Sequence, residues 1–189
     1  MSKKIFILGS SRSGTTALSN HLCQHSQIFG LQAEEHWGIM EFKFISELRF
    51  FFENIEEDLD FFGFLQVFSR SDLFTSSGLS KDVFLVERPK SILEFVDLFI
   101  SECLKKHNSK YWLNNDPRQS FYLKELIERY PDSYYIYMKR PIIDTVKSNT
   151  KKFTGRNISG FAQKVFRYHS DHCSVSKYRN NFKNFYEIT

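Results

Sequence analysis

Residues 5–16, IFILGSSRSGTT, set two glycines, an arginine and a run of hydroxyls directly after a short apolar segment. Gly9 and Gly14 have the G-x-x-x-x-G spacing of a phosphate-cradling loop, and Thr16 stands at its hydroxyl position. Thr15 occupies the place where a nucleotide-hydrolysing loop carries the lysine that reaches the β- and γ-phosphates. An uncapped helix N-terminus attracts a phosphate whatever group is attached to it, through free amides and the helix dipole. Arg12, inside the loop, adds a planar fork of donors suited to phosphate or sulfate oxygens. The pattern points to a phosphate-bearing donor other than ATP.

Residues 134–148, YYIYMKRPIIDTVKS, read as a second strand followed by a basic helix start. The aromatic and apolar run 134–138 reads as a strand, Pro141 suits the start of a helix, and Arg140 and Ser148 flank that start. Lys139 and Lys147 add to the local positive field while mainly facing solvent.

Arg12-Ser13-Gly14-Thr15-Thr16 resembles the phosphosulfate-binding loop of the sulfotransferase superfamily, R-S-G-T-T after a strand. The pattern is closest to bacterial sulfotransferase-family and tyrosylprotein-sulfotransferase-like proteins. The resemblance implies a P-loop-like α/β fold and 3′-phosphoadenosine 5′-phosphosulfate (PAPS) as donor, with no metal. It implies that Ser11, Arg12, Ser13, Gly14, Thr15 and Thr16 hold the 5′-phosphosulfate, and that Arg140 and Ser148 hold the 3′-phosphate. The family's second segment resembles R-x-P-x-D-x-x-x-S; Arg140, Asp144 and Ser148 keep that spacing, while Pro141 comes one residue early.

Sulfuryl transfer needs a base for the acceptor's proton and positive charge near the leaving phosphate. The stretch 28–37, IFGLQAEEHW, gives a short apolar run and then two carboxylates where open α/β sheets bind ligands. Glu35 is the first candidate base, Glu34 the second and His36 the third; the plainer alternative makes both glutamates the charged first turn of the next helix. Family members resembling tyrosylprotein sulfotransferases carry an N-K-D-P-like segment whose lysine contacts the transferring group. Here residues 114–117 read NNDP, so Asn115 stands at the lysine position and offers a donor without charge. Lys90, Lys43 and Arg118 are possible replacements for that charge.

The elements that must position these residues alternate. Strand runs at 5–8, 28–31, 111–113, 134–138 and 185–188 are separated by helical patterns at 15–25, 89–106, 118–129 and 161–182. This predicts an α/β fold with a central, mainly parallel sheet covered by helices on both faces. In residues 41–69, Phe44, Leu48, Phe51, Phe52, Ile55 and Leu59 recur at helical spacing and read first as core, with part of that aromatic surface available for an acceptor. Residues 69–81, rich in Ser and Gly, read as a mobile loop.

A length of 189 residues suits one domain over 1–189, and 41% hydrophobic residues suit a globular core. Set beside the family, the chain is expected to lack the C-terminal segment that closes over the adenosine. Cys23, Cys103 and Cys173 have no metal-ligand spacing, and their odd number disfavours a disulfide framework, so a reducing cytoplasm is the expected compartment. No apolar run is long enough for a membrane span, and no basic stripe with interleaved aromatics calls for nucleic acid. The net charge of +4 suits anionic ligands. The reading is a sulfotransferase acting from PAPS on a hydroxyl or amine of a small-molecule, carbohydrate or peptide acceptor, with the oligomeric state left open. Its alternatives are a nucleotide kinase or NTPase on the same fold, and a non-catalytic protein that binds PAPS or its bisphosphate product.

Overall fold

The computed structural model describes residues 3–31, 40–41, 55–152 and 158–189. Glu34, Glu35, His36 and Lys43, together with Phe44, Leu48, Phe51 and Phe52, lie outside the described residues. Among the described residues the chain forms a five-stranded sheet in the order β2-β3-β1-β4-β5, built from β1 (Lys3–Leu8), β2 (Ile28–Phe29), β3 (Tyr111–Asn114), β4 (Tyr134–Met138) and β5 (Asn184–Ile188). Every pairing is parallel. The described helices are α1 (Thr15–Leu22), α2 (Asp58–Phe68), α3 (Asp72–Ser77), α4 (Asp82–Glu87), α5 (Ile92–Lys106), α6 (Leu123–Arg129), α7 (Ile142–Lys152) and α8 (Ile158–Tyr178). A central parallel sheet has both faces buried, so its strands read as continuous apolar runs, as IFIL in β1 does.

Period-2 alternation sorts the core into two faces. Phe6 and Leu8 join Tyr135 and Tyr137 on one face, beneath Leu123 and Leu126 of α6 and Val175 of α8. Ile7 and Leu113 point to the other face, against Leu18 and Leu22 of α1. Trp112 extends the first face into a phenylalanine cluster. There Phe95 meets Phe64 edge-on at 4.8 Å and stacks on Phe84 at 4.4 Å, pairings that each add about 0.5–1.5 kcal/mol beyond burial.

Two expectations from sequence change here. Leu59 is 84% exposed, because Glu57 is extended and α2 starts afresh at Asp58, burying Phe61, Phe64, Leu65 and Phe68 instead. That spacing of three, one and three residues sets the helix phase and leaves Leu59 pointing to solvent. Residues 69–81 contain a helix rather than a continuous loop. Ser71 caps α3 by accepting the Phe74 amide at 3.3 Å, Gly78 ends it at φ 62°, and Phe74 is buried. The serines that suggested a loop are its helix-end chemistry. Similarly, α5 begins at Ile92 after Ser91, whose hydroxyl accepts the Glu94 amide while the Glu94 carboxylate accepts the Lys90 amide.

At the amino edge of the sheet, Lys4 is buried and its ammonium lies 3.3 Å from Asp97 and 4.0 Å from the Tyr130 ring centroid. Asp97 also accepts from Arg129 at 2.5 Å and from the Tyr130 hydroxyl at 2.8 Å. Burial lowers the Lys4 pKa, partly offset by Asp97.

Gly9 ends β1 at φ 142°, and a Cβ there would stand 2.8 Å from the Met138 carbonyl oxygen and 2.8 Å from Ser13 Oγ. Gly9→Ala is therefore expected to cost about 2 kcal/mol or more in urea unfolding. Gly63→Ala, in α2 with nothing within 4 Å of the added carbon, is expected to be neutral or slightly stabilising.

Burial pushes the Cys23 thiol up to about 11 and the Cys103 thiol to about 12, and raises the hydroxyls of Tyr130, Tyr135 and Tyr137. These acids hold protons in the folded chain that the unfolded chain has already lost. Their stabilisation is complete below the unfolded values, near 9 for thiols and 10 for phenols, and is lost as the pH rises further. Lys4 acts in the opposite direction with a single proton. Melting temperature should fall steadily above about pH 9, and phenolate absorbance from the three tyrosines should appear only with unfolding.

Candidate functional site

In an open α/β sheet the ligand crevice forms at the carboxyl edge where neighbouring strands lead their connections in opposite directions. Here those strands are β1 and β4. The chain leaves β1 through α1 toward β2 at one edge, and leaves β4 toward β5 at the other. Their register, Ile5↔Tyr134 through Leu8↔Tyr137, brings the loop after Leu8 beside the segment after Met138.

The β1 loop takes three positive φ values, at Gly9 (142°), Arg12 (73°) and Gly14 (104°). Backbone of this kind turns successive amides inward to form an anion-binding concavity. Ser10 closes the turn, its carbonyl accepting from the Ser13 amide at 3.0 Å and from Ser13 Oγ at 2.6 Å. Gly14 is the N-cap of α1 and carries no side-chain cap, and the first helical bond runs from the Leu18 amide to Gly14. The amides of Thr15, Thr16 and Ala17 therefore have no intrahelical partner and are left for a ligand. Ser13 and Thr15 are buried in the loop floor, while Ser11, Arg12 and Thr16 are exposed.

The two sequence-predicted anion grips come together. Arg12 Nε donates to Ser148 Oγ at 3.2 Å, and Arg140 Nη1 donates to the Arg12 carbonyl at 3.0 Å. Both guanidinium groups are exposed, and among the described residues neither meets a carboxylate in an ion pair. The Arg140 segment is itself held by Tyr168 of α8, whose hydroxyl donates to the Arg140 carbonyl at 2.7 Å. Despite its early proline the turn starts a helix in place: Pro141 precedes α7, and its carbonyl accepts the Asp144 and Thr145 amides at 3.1 Å.

Asn115 is not part of this cluster by any contact among the described residues. It follows β3 and is 2% exposed, so its carboxamide is not freely presented. Its neighbours build a scaffold: Asn114 Nδ2 donates to Gln119 Oε1 at 3.1 Å, Gln119 Nε2 donates to the Ile7 carbonyl, and the Arg118 amide donates to Asp116 at 2.9 Å. Arg118 and Lys90 are exposed.

Sequence reasoning missed the residues behind the loop. Asp171 of α8, 1% exposed, accepts Ser10 Oγ at 2.8 Å and Ser120 Oγ at 2.5 Å. A polar residue on the buried face of an amphipathic helix was the available signal. At the opposite, amino edge of the sheet lies a cavity of about 440 Å³ lined by Lys3, Lys4, Arg129, Asp132 and Lys183. It is remote from the loop, and Asp97 and Asp132 already pair with its cations. Among the described residues no group of three or more His, Cys, Asp or Glu is arranged to hold a metal, and no helix is long and apolar enough to cross a membrane.

Comparison with solved structures gives the fold a wider frame. The sulfotransferase domain of the Synechococcus PCC 7002 olefin synthase superposes with a TM-score of 0.65 at 14% identity, over 98% of this chain and 65% of that one. The sulfotransferase domain from the curacin biosynthetic pathway gives 0.62 at 19% identity, over 100% and 67%. Sulfotransferase STF1 from Mycobacterium tuberculosis H37Rv gives 0.56 at 15%, over 100% and 62%. The chain thus spans about two thirds of the length of these structures. At such identities the likeness establishes a shared P-loop-like α/β fold. No curated protein matches the sequence. A family model described as "Sulfotransferase family" matches residues 4–188, which takes in the β1 loop, the Arg140 segment and all of the described sheet but Lys3, and the chain belongs to that family.

Proposed function

We propose that the protein binds PAPS and transfers its sulfuryl group to a hydroxyl or amine of a small-molecule, carbohydrate or peptide acceptor. The observation that carries the reading is the joining of Arg12, Arg140 and Ser148 beside the uncapped start of α1, with threonine where an ATP-hydrolysing loop has lysine. Two phosphate grips in one crevice suit a donor with phosphates at two separate positions.

In this reading the amides of Thr15 and Thr16, with Ser11, Ser13, Gly14 and Arg12, hold the 5′-phosphosulfate, and Arg140 and Ser148 hold the 3′-phosphate. The acceptor atom attacks sulfur, the bond from sulfur to the bridging phosphate oxygen breaks, and Glu35, or Glu34 in its place, takes the acceptor's proton. Arg12 and the α1 dipole stabilise the departing bisphosphate. No metal step enters the scheme. The three free thiols suit a reducing compartment, and we place the protein in the cytoplasm. A second reading, binding without turnover, is favoured by the uncharged and buried Asn115 where a lysine is expected.

Calorimetry with 3′,5′-bisphosphoadenosine is expected to show binding, and ATP with magnesium none. Arg12→Ala and Arg140→Ala should each weaken the bisphosphate about tenfold or more, the scale of a charge-assisted hydrogen bond. Failure to bind the bisphosphate, or indifference to both substitutions, would overturn the donor assignment. Glu35→Gln should remove sulfuryl transfer from labelled donor to a panel of phenols, sugars and amines while leaving bisphosphate affinity unchanged. Bisphosphate binding by the unsubstituted chain with no transfer to any acceptor would select the second reading.

A further inference from the structure

A buried carboxylate is an expensive way to fill space, since an apolar side chain packs without desolvating a charge. Asp171 is 1% exposed, and its recorded partners are two hydroxyls and the half-buried Arg167, whose Nε stands 3.4 Å from Oδ1. Those partners are widely separated in sequence. Ser10 begins the β1 loop, and Ser120 lies within the turn Gln119–Tyr122 that follows the Asn114–Asn115–Asp116 segment. The same stretch of α8 makes two more ties: Arg167 Nη2 donates to the Pro117 carbonyl at 3.0 Å, and Tyr168 donates to the Arg140 carbonyl at 2.7 Å. The three loops that follow β1, β3 and β4 are each fastened to residues 167–171.

We propose that Asp171 is a positioning residue that sets the geometry of the donor loop through Ser10 and couples it to the segment after β3. This rests on the function proposed above. Ser10 is the point from which the loop's shape propagates. Its carbonyl receives both the amide and the hydroxyl of Ser13, and that turn carries Arg12 at φ 73°, a backbone conformation that costs a non-glycine residue about 1 kcal/mol or more unless held from outside. The contacts of Arg12 with Ser148 and Arg140 also hold the loop, but they lie at the exposed surface where water competes. Asp171 supplies a buried hold, and its carboxylate offers a separate oxygen to each hydroxyl where an amide has a single acceptor oxygen.

The test compares Asp171→Asn, Ser10→Ala, Ser120→Ala and the Asp171→Asn/Ser10→Ala pair by two measurements. Hydrogen exchange of the ligand-free protein reads the loop directly, and calorimetry at a temperature well below melting reads 3′,5′-bisphosphoadenosine affinity. Asp171→Asn and Ser10→Ala should each speed exchange in residues 9–14 and weaken the bisphosphate about tenfold. The pair should be no weaker than Asp171→Asn alone, because both remove one bond. Ser120→Ala should speed exchange at 116–121 and leave 9–14 nearly unchanged. A lower melting temperature with wild-type loop exchange and wild-type affinity would make Asp171 a purely structural residue and overturn the inference, as would additive losses in the pair. Should Asp171→Asn fail to fold, Ser10→Ala decides alone, since it leaves the carboxylate with Ser120 and Arg167. If the unsubstituted chain binds no bisphosphate, the proposed function fails while the exchange comparison still decides the role of Asp171.

Discussion

The direct parallel pairing of β1 with β4 is the constraint on which the site depends. Neighbouring strands lie about 4.8 Å apart, so the segments leaving Leu8 and Met138 have no room to diverge before their first polar residues. Gly9 permits this approach, having no Cβ to meet the Met138 carbonyl. The outcome is two arginines from sequence positions 128 residues apart sharing one hydrogen bond. Two cations held on one loop raise the local positive potential, and the sheet pairing is what brings them to the same place.

Much of this was legible in the sequence because it is local. The glycine spacing, Arg12, the missing lysine and the strand–turn–helix order are properties of adjacent residues, and they fixed the β1 loop and the start of α1. The family resemblance singled out Arg140 and Ser148, although nothing in their local sequence tells that Arg12 Nε will reach Ser148 across 136 residues. Leu59 was misread because hydrophobic spacing was counted through Glu57, where the chain is extended. The serines of 69–81 were misread because capping and loop-forming residues are the same residue types. Asp171 was harder to read: its place on the helix face of Val175 hints at burial, but its distant hydroxyl partners cannot be read from local sequence. Glu34 and Glu35 lie outside the described residues, so their place in the site rests on sequence alone.

In the segment after β3, side-chain amides share with Arg167 the task of holding the carboxyl edge. Asn114 reaches Gln119, and Gln119 reaches across to the Ile7 carbonyl at the end of β1. Side-chain amides thus continue the cross-strand hydrogen bonding past the point where the ladder stops. Asn115, next in the chain to Asn114, is itself buried, and it occupies that place without a charge to desolvate.

At the other end of β1, Lys4 gives the strand a zero mark. Its ammonium finds Asp97 and the face of Tyr130 in one alignment, with Phe6 and Leu8 following on the same side of the sheet. Sliding the strand by a single residue would turn Lys4 to the opposite face and Ile5 toward the carboxylate. Measured from that mark, Gly9 falls against Met138 and Arg12 falls within reach of Ser148. The charged cluster farthest from the crevice thereby acts as the origin of the scale on which the crevice is laid out.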